Sequence, residues 1–108
     1  MCSIEEKELI DLIELVELQK NDDDRCEIKC VVRYVEIIHP DTNKKKEVWR
    51  MEFTLTKMVR GKIQVQSLYL FKGSLDERFF KRLNGVEKFA RKVGIKEFTV
   101  ITEIASLV

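Results

Sequence analysis

The chain is predicted to fold as one α+β domain over residues 1–108, in the order α-β-β-β-α-β, with an antiparallel three-stranded meander plus a fourth strand and two covering helices. Three observations predict it. Apolar residues recur at helical spacing near the start and again after Gly73. Between those two segments the period falls to two, and compact turn signals cut the period-two stretch into strands.

Ser3 with Glu6 three residues on reads as a capping box, and Leu9, Leu12, Ile13 and Val16 follow at helical spacing, so a helix is expected over about 4–20. Its apolar face is broad. Ile10, Leu15 and Leu18 extend it round the cylinder beyond what one sheet face covers, which marks them as a candidate partner-binding surface and points to a homodimer. Asn21 and the acidic run Asp22, Asp23 and Asp24 end the helix. From Arg25 onward Cys26, Ile28, Cys30, Val32 and Tyr34 point one way, while Arg25, Glu27, Lys29 and Arg33 point the other. Over residues 35–38 both faces become apolar, as at a bulge or a twist toward a sheet edge. His39-Pro40-Asp41-Thr42-Asn43 is a strong turn signal. A second strand over about 46–59 sets Trp49, Met51, Phe53 and Leu55 on one face. Arg60-Gly61 makes a tight hairpin, and a third strand over about 62–72 has Ile63, Val65, Tyr69 and Phe71 in phase.

Ser74 with Glu77 gives a second capping box, followed by an apolar stripe of Phe79, Leu83, Val86, Ala90 and Val93 that Gly94 terminates. Gly85 falls in the middle of that helix, where glycine costs about 1 kcal/mol relative to alanine. The last strand, over about 97–105, carries Phe98, Val100 and Ile104 in alternation.

Composition narrows the function classes. The charged fraction is 36% with only four glycines and one proline, a balance shared with heat-adapted proteins. The three cysteines are odd in number, and MCSIEEKELIDL carries acids throughout and lacks the basic flank of a signal peptide, so a reducing cytoplasm is expected. No apolar run approaches the roughly 20 residues of a membrane span. The net charge of +1 hides an asymmetry: residues 1–24 are strongly acidic and residues 44–62 strongly basic.

Candidate chemistry is sparse. Cys26 and Cys30, four apart on a strand, stand about 13 Å apart, too far for a mutual disulfide or a shared tetrahedral metal, and read as small core side chains. Cys2 is terminal. His39 is the single histidine and reads as a turn residue. Gly61, Gly73, Gly85 and Gly94 are too scattered to cradle a phosphate, so no catalytic residue, metal ligand or cofactor is assigned. Lys44, Lys45, Lys46, Arg50, Lys57, Arg60 and Lys62 gather near the two hairpin turns with Trp49 among them, a candidate nucleic-acid-binding surface.

The stretch Val86-Glu87-Lys88-Phe89-Ala90-Arg91-Lys92-Val93-Gly94-Ile95-Lys96-Glu97-Phe98-Thr99-Val100 resembles the helix-to-strand passage of the acetyl-CoA-dependent N-acetyltransferase superfamily (GNAT). The resemblance covers the element order from Arg25 to Ala105 and implies a meander before that helix. The family's pyrophosphate loop, Arg/Gln-x-x-Gly-x-Gly/Ala, has no counterpart here, because Phe71-Lys72-Gly73-Ser74-Leu75-Asp76-Glu77-Arg78-Phe79-Phe80 holds one glycine. It therefore implies a trimmed relative without the cofactor site, or a degenerate acyl-CoA-binding protein engaging coenzyme A near Gly73 and Ser74. The α-β-β-β-α order is also similar to that of double-stranded RNA-binding domains, without their glycine- and lysine-rich entry to the last helix.

The expectation is a non-enzymatic binding or assembly module, homodimeric or bound to a protein partner, of the kind common among small viral, plasmid and microbial open reading frames. Nucleic-acid binding through the basic hairpins is the alternative, and a degenerate GNAT-like acyl-CoA-binding protein comes third.

Overall fold

In the computed structural model, which describes residues 3–19, 26–39, 41–73 and 76–106, the elements run β1 (Ser3–Glu5), α1 (Glu6–Leu18), β2 (Cys26–Ile38), β3 (Lys45–Val59), β4 (Lys62–Phe71), β5 (Phe79–Phe80), α2 (Leu83–Val93) and β6 (Thr99–Ser106). The fold is α+β with two helices, but the sheet is mixed and six-stranded. A meander plus one strand does not describe it. The order is β1-β4-β3-β2-β6, with β5 paired to β3. The pairs β2/β3, β3/β4 and β3/β5 are antiparallel, whereas β1/β4 and β2/β6 are parallel.

The β2/β3 ribbon is the spine. It pairs without interruption from Cys26↔Lys57 to Ile38↔Lys45, so side-chain parity alone assigns its two faces. One face carries Cys30, Val32, Met51, Phe53 and Leu55, all buried, and both helices pack there through Leu9, Val86, Phe89 and Val93. Trp49 joins this face partly buried, its ring 4.6 Å from that of Tyr34. The opposite face has no helix among the described residues. It holds Arg33, Val35, Val48, Arg50 and Glu52. The apolar blur over residues 35–38 coincides with a register shift between β2 and β6 at Arg33/Val35, beyond which Val35 and its partner Val48 are buried on the helix-free side.

Local signals moved in four places. Residues Ser3 to Glu5 form β1 instead of the first helical turn, because Ile4 gains burial beside Leu70 of β4. The capping box consequently shifts by two residues: the Glu8 carboxylate accepts from the Glu5 N–H at 3.2 Å. At the second helix, Ser74 lies outside the described residues. The chain instead turns after β4, with the Arg78 N–H donating to the Leu70 carbonyl at 2.8 Å, and pairs Phe79 and Phe80 with Arg50 and Trp49 before α2 begins at Leu83. Phe79 is thus a strand residue, and Gly85 sits in the first helical turn, where an added Cβ would meet only Phe80 Cδ1 at 3.6 Å. Gly94 does end α2, in a left-handed conformation with φ 96°.

The other corrections concern the outer strands. In β4 the buried residues are Leu68 and Leu70; Ile63, Val65, Tyr69 and Phe71 share the other parity and face the helix-free side. In β6, Ile104 is half exposed, while Phe98 packs on the core just before the strand. The molecule is elongated, 50 × 27 × 26 Å, since the ribbon outruns its helices at both ends.

Candidate interaction surface

The hairpin of β3 and β4 projects from one end of the ribbon. Its turn is Arg60-Gly61, both at positive φ (52° and 76°), the primed geometry whose twist matches that of the strands it joins. Register pairs Met58 with Ile63 and Thr56 with Val65 on the helix-free face. Ile63 is 66% exposed and Val65 64%, with Met58 and Val59 also exposed, so the arm carries apolar side chains that nothing in the described chain covers. Beneath it lies an open groove of about 570 Å³ lined by Ile13 and Val16 of α1, Cys26 and Ile28 of β2, Met58 of β3 and Ile63 of β4. Charges stand at its rim, including Lys96, whose ammonium is 3.9 Å from the Glu17 carboxylate.

The residues expected to bind a partner divide. Ile10 packs partly buried against the core and is not surplus, because β1 draws the start of α1 down onto the sheet. Leu15 and Leu18 are exposed, Leu18 to 83%. They lie toward the C-terminal end of α1, the end that walls the groove.

The candidate nucleic-acid residues also divide. Lys44, Lys45 and Lys46 lie at the turn end of β2/β3, and Lys57, Arg60 and Lys62 at the other hairpin. The 15-residue β3 holds the two groups about 45 Å apart at roughly 3.3 Å per residue. They are two small groups, not one patch. Lys45 is 3.6 Å from Glu36. Arg50 belongs to neither group: its guanidinium contacts the Glu77 carboxylate at 2.5 Å and covers the Tyr69 ring at 3.7 Å. With Arg33–Glu52 at 3.2 Å, these pairs form a charged row across the helix-free face. Trp49 packs partly buried against the core, its ring tilted 39° to that of Tyr34.

Reactive groups are held in unreactive states or kept apart. Burial pushes the Cys30 thiol up to about 12, so it stays protonated. The Tyr34 hydroxyl donates to the Glu47 carboxylate at 2.7 Å, and that hydrogen bond, with burial and the Glu47 charge, raises its pKa. His39 accepts from the Asp41 N–H at 3.3 Å inside its turn, and the 13-residue β2 puts it roughly 40 Å from Cys26. Among the described residues no cysteine–histidine pair is brought together. Among the described residues no three His, Cys, Asp or Glu side chains cluster to hold a metal ion, and no helix is long and apolar enough to cross a membrane. Cys2 lies outside the described residues.

What sequence reasoning missed is the arm as a surface. The signal was present: β4 has apolar residues on both parities, and a strand with one covered face can bury only one set.

No family model, curated protein or solved structure matches this chain.

Proposed function

We propose that this protein is a non-enzymatic assembly module that works by binding polypeptide, in the first place another copy of itself. One observation carries the reading: Met58, Val59, Ile63 and Val65 of the arm are all exposed, and Met58 and Ile63 line the groove walled by α1. In a chain that is 36% charged, apolar side chains grouped in this way mark an interaction site, since isolated exposed residues would be scattered. Solution mass by light scattering at low and high salt tests it. A dimer at both salt concentrations supports association through apolar surface, because salt screens charge contacts and leaves apolar ones intact. A monomer at both removes self-assembly as the function.

A second reading has its own support. Lys44, Lys46, Lys57, Arg60 and Lys62 form no ion pair with a carboxylate among the described residues, which favours nucleic-acid binding at either tip. That reading requires retention on DNA or RNA at ~50 mM salt and a steep loss as salt rises. Indifference to nucleic acid at ~50 mM would end it.

A further inference from the structure

We infer that two copies of this chain join by antiparallel pairing of their β4 strands, Ile63 of one copy opposite Val65 of the other, extending the sheet across a twofold axis at Gln64. The inference deepens the assembly reading above and rests on it.

The hydrogen-bonding parity of β4 is fixed by its turn. In a two-residue hairpin the residues flanking the turn, here Val59 and Lys62, exchange both backbone bonds, and hydrogen-bonded and non-hydrogen-bonded pairs then alternate. The backbone groups of Ile63, Val65 and Ser67 therefore point away from β3. Tyr69 and Phe71 have the same parity, and β1 takes up the edge there. Among the described residues no strand pairs with the outward groups of Ile63, Val65 and Ser67. A second strand is the partner whose chemistry satisfies alternating donors and acceptors along one line.

Three features select a second copy of β4 and one register. First, outward residues must face outward residues; Ile63 opposite Ile63 would pair only Lys62 to Gln64 of each strand, so the longer ladders are Val65 opposite Val65 and Ile63 opposite Val65. The former would carry the Arg60-Gly61 turn of the second copy alongside Tyr69, into the place that β1 occupies; the latter ends it beside Ser67 and Leu68. β1 is the stop that sets the register. Second, the favoured register brings Arg60 and Lys62 of the turn toward Glu5 and Glu8, which are exposed where β1 meets α1, a corner that also holds Lys7, Lys72 and Arg78. By the twofold symmetry the contact occurs twice. Third, paired residues in one ladder share a face, so Met58, Ile63 and Val65 of both copies fall into one apolar strip on the helix-free side.

The test uses cysteine placement. In this register Gln64 faces Gln64 of the second copy as a non-hydrogen-bonded pair, with Cα atoms about 4.5 Å apart, within disulfide range. In a Cys2→Ser background, mild oxidation should cross-link Gln64→Cys nearly completely, and Gln66→Cys, whose copies lie roughly 13 Å apart, hardly at all. Val65→Pro removes an outward N–H and leaves the ladder with β3 intact. It should raise the dimer dissociation constant about tenfold or more while circular dichroism stays that of the folded protein. A wild-type dimer that neither cross-links through Gln64→Cys nor responds to Val65→Pro overturns this interface and leaves the assembly reading standing. Cross-linking at Gln66→Cys instead overturns the register. A wild-type monomer overturns both.

Discussion

Replacing Glu77 by glutamine should destabilise the protein by about 2 kcal/mol, and the figure follows from where the pair sits. Arg50 and Glu77 side chains keep only 13% and 14% of their exposure, at 2.5 Å separation. Breaking one partner of a fully buried pair costs about 3–5 kcal/mol, whereas a solvent-exposed pair is worth ~0–1 kcal/mol. Two circumstances lower the buried figure here. The guanidinium stays stacked over Tyr69, a contact worth about 0.5–2 kcal/mol, and glutamine still offers an acceptor oxygen. At roughly 4–8 °C per kcal/mol for a domain near this size, the midpoint of thermal unfolding should fall by about 8–16 °C. Urea and thermal unfolding of Glu77→Gln, Arg50→Met and the double variant give the coupling, expected between about 1 and 2 kcal/mol. The structural stake is the return of the chain from β4 to β3, since Glu77 bridges to Phe71 and leads directly into β5. A Glu77→Gln variant within about 0.5 kcal/mol of wild type would show that the pair behaves as a surface contact and that Phe80 alone secures β5.

Three further outcomes are expected. Cys30 should resist alkylation in the native protein at a pH of about 9 and react fully in denaturant. Its thiol stays protonated until about pH 12 while the unfolded thiol ionises near 9, so stability falls as pH rises across that window; rapid native labelling read by mass spectrometry would contradict the burial. The Glu6 carboxyl lies below its ordinary 4.5, chiefly through the hydrogen bond from Lys92, with desolvation opposing and the Lys92 and Arg78 charges assisting. Its contribution is present above that ordinary value and lost as pH falls through the lower folded one, so Lys92→Met should flatten the acid limb of the stability curve; identical acid limbs would refute the coupling. Ile104→Lys, on the outer strand β6, should leave the solution mass unchanged, and dissociation of a dimer by that substitution would place the interface at the wrong edge.

Much of the fold was legible because its strongest elements carry their periods locally. The β2/β3 ribbon, the hairpin at Arg60-Gly61 and the end of α2 at Gly94 are written in alternation, turn chemistry and helix termination. What was not legible depends on distant partners. β1 is three residues whose strand character exists only because β4 extends to Phe71 beside it. β5 is a pair of phenylalanines that helical spacing claims equally well, until Trp49 and Arg50 supply a strand edge. The basic residues illustrate a different limit: they are close in sequence, but an extended strand converts that closeness into distance along the molecule. Leu15 and Leu18 were recognisable as surplus, whereas Ile10 was not separable from them without knowing that β1 anchors the helix start.

The chain treats its two long edges differently, and that contrast bears on what the arm is for. At the β6 edge the pairing with β2 shifts register at Arg33/Val35, and beside the exposed Val100 and Ile104 the strand carries exposed Thr102 and Glu103. Irregularity and charge are the usual means by which an outer strand is kept from pairing with another molecule. β4 has neither between Ile63 and Ser67: its register with β3 is unbroken from Val59↔Lys62 to Glu52↔Tyr69, and its one charge, Lys62, stands at the turn. A protein this rich in charge could have set a lysine at position 63 or 65 at little cost to its fold, since both side chains already lie in solvent. Instead both positions are β-branched and apolar, the residue types that stabilise a strand against a neighbour across the ladder. The edge that is shielded and the edge that is open therefore differ in the way expected if only one of them meets a partner.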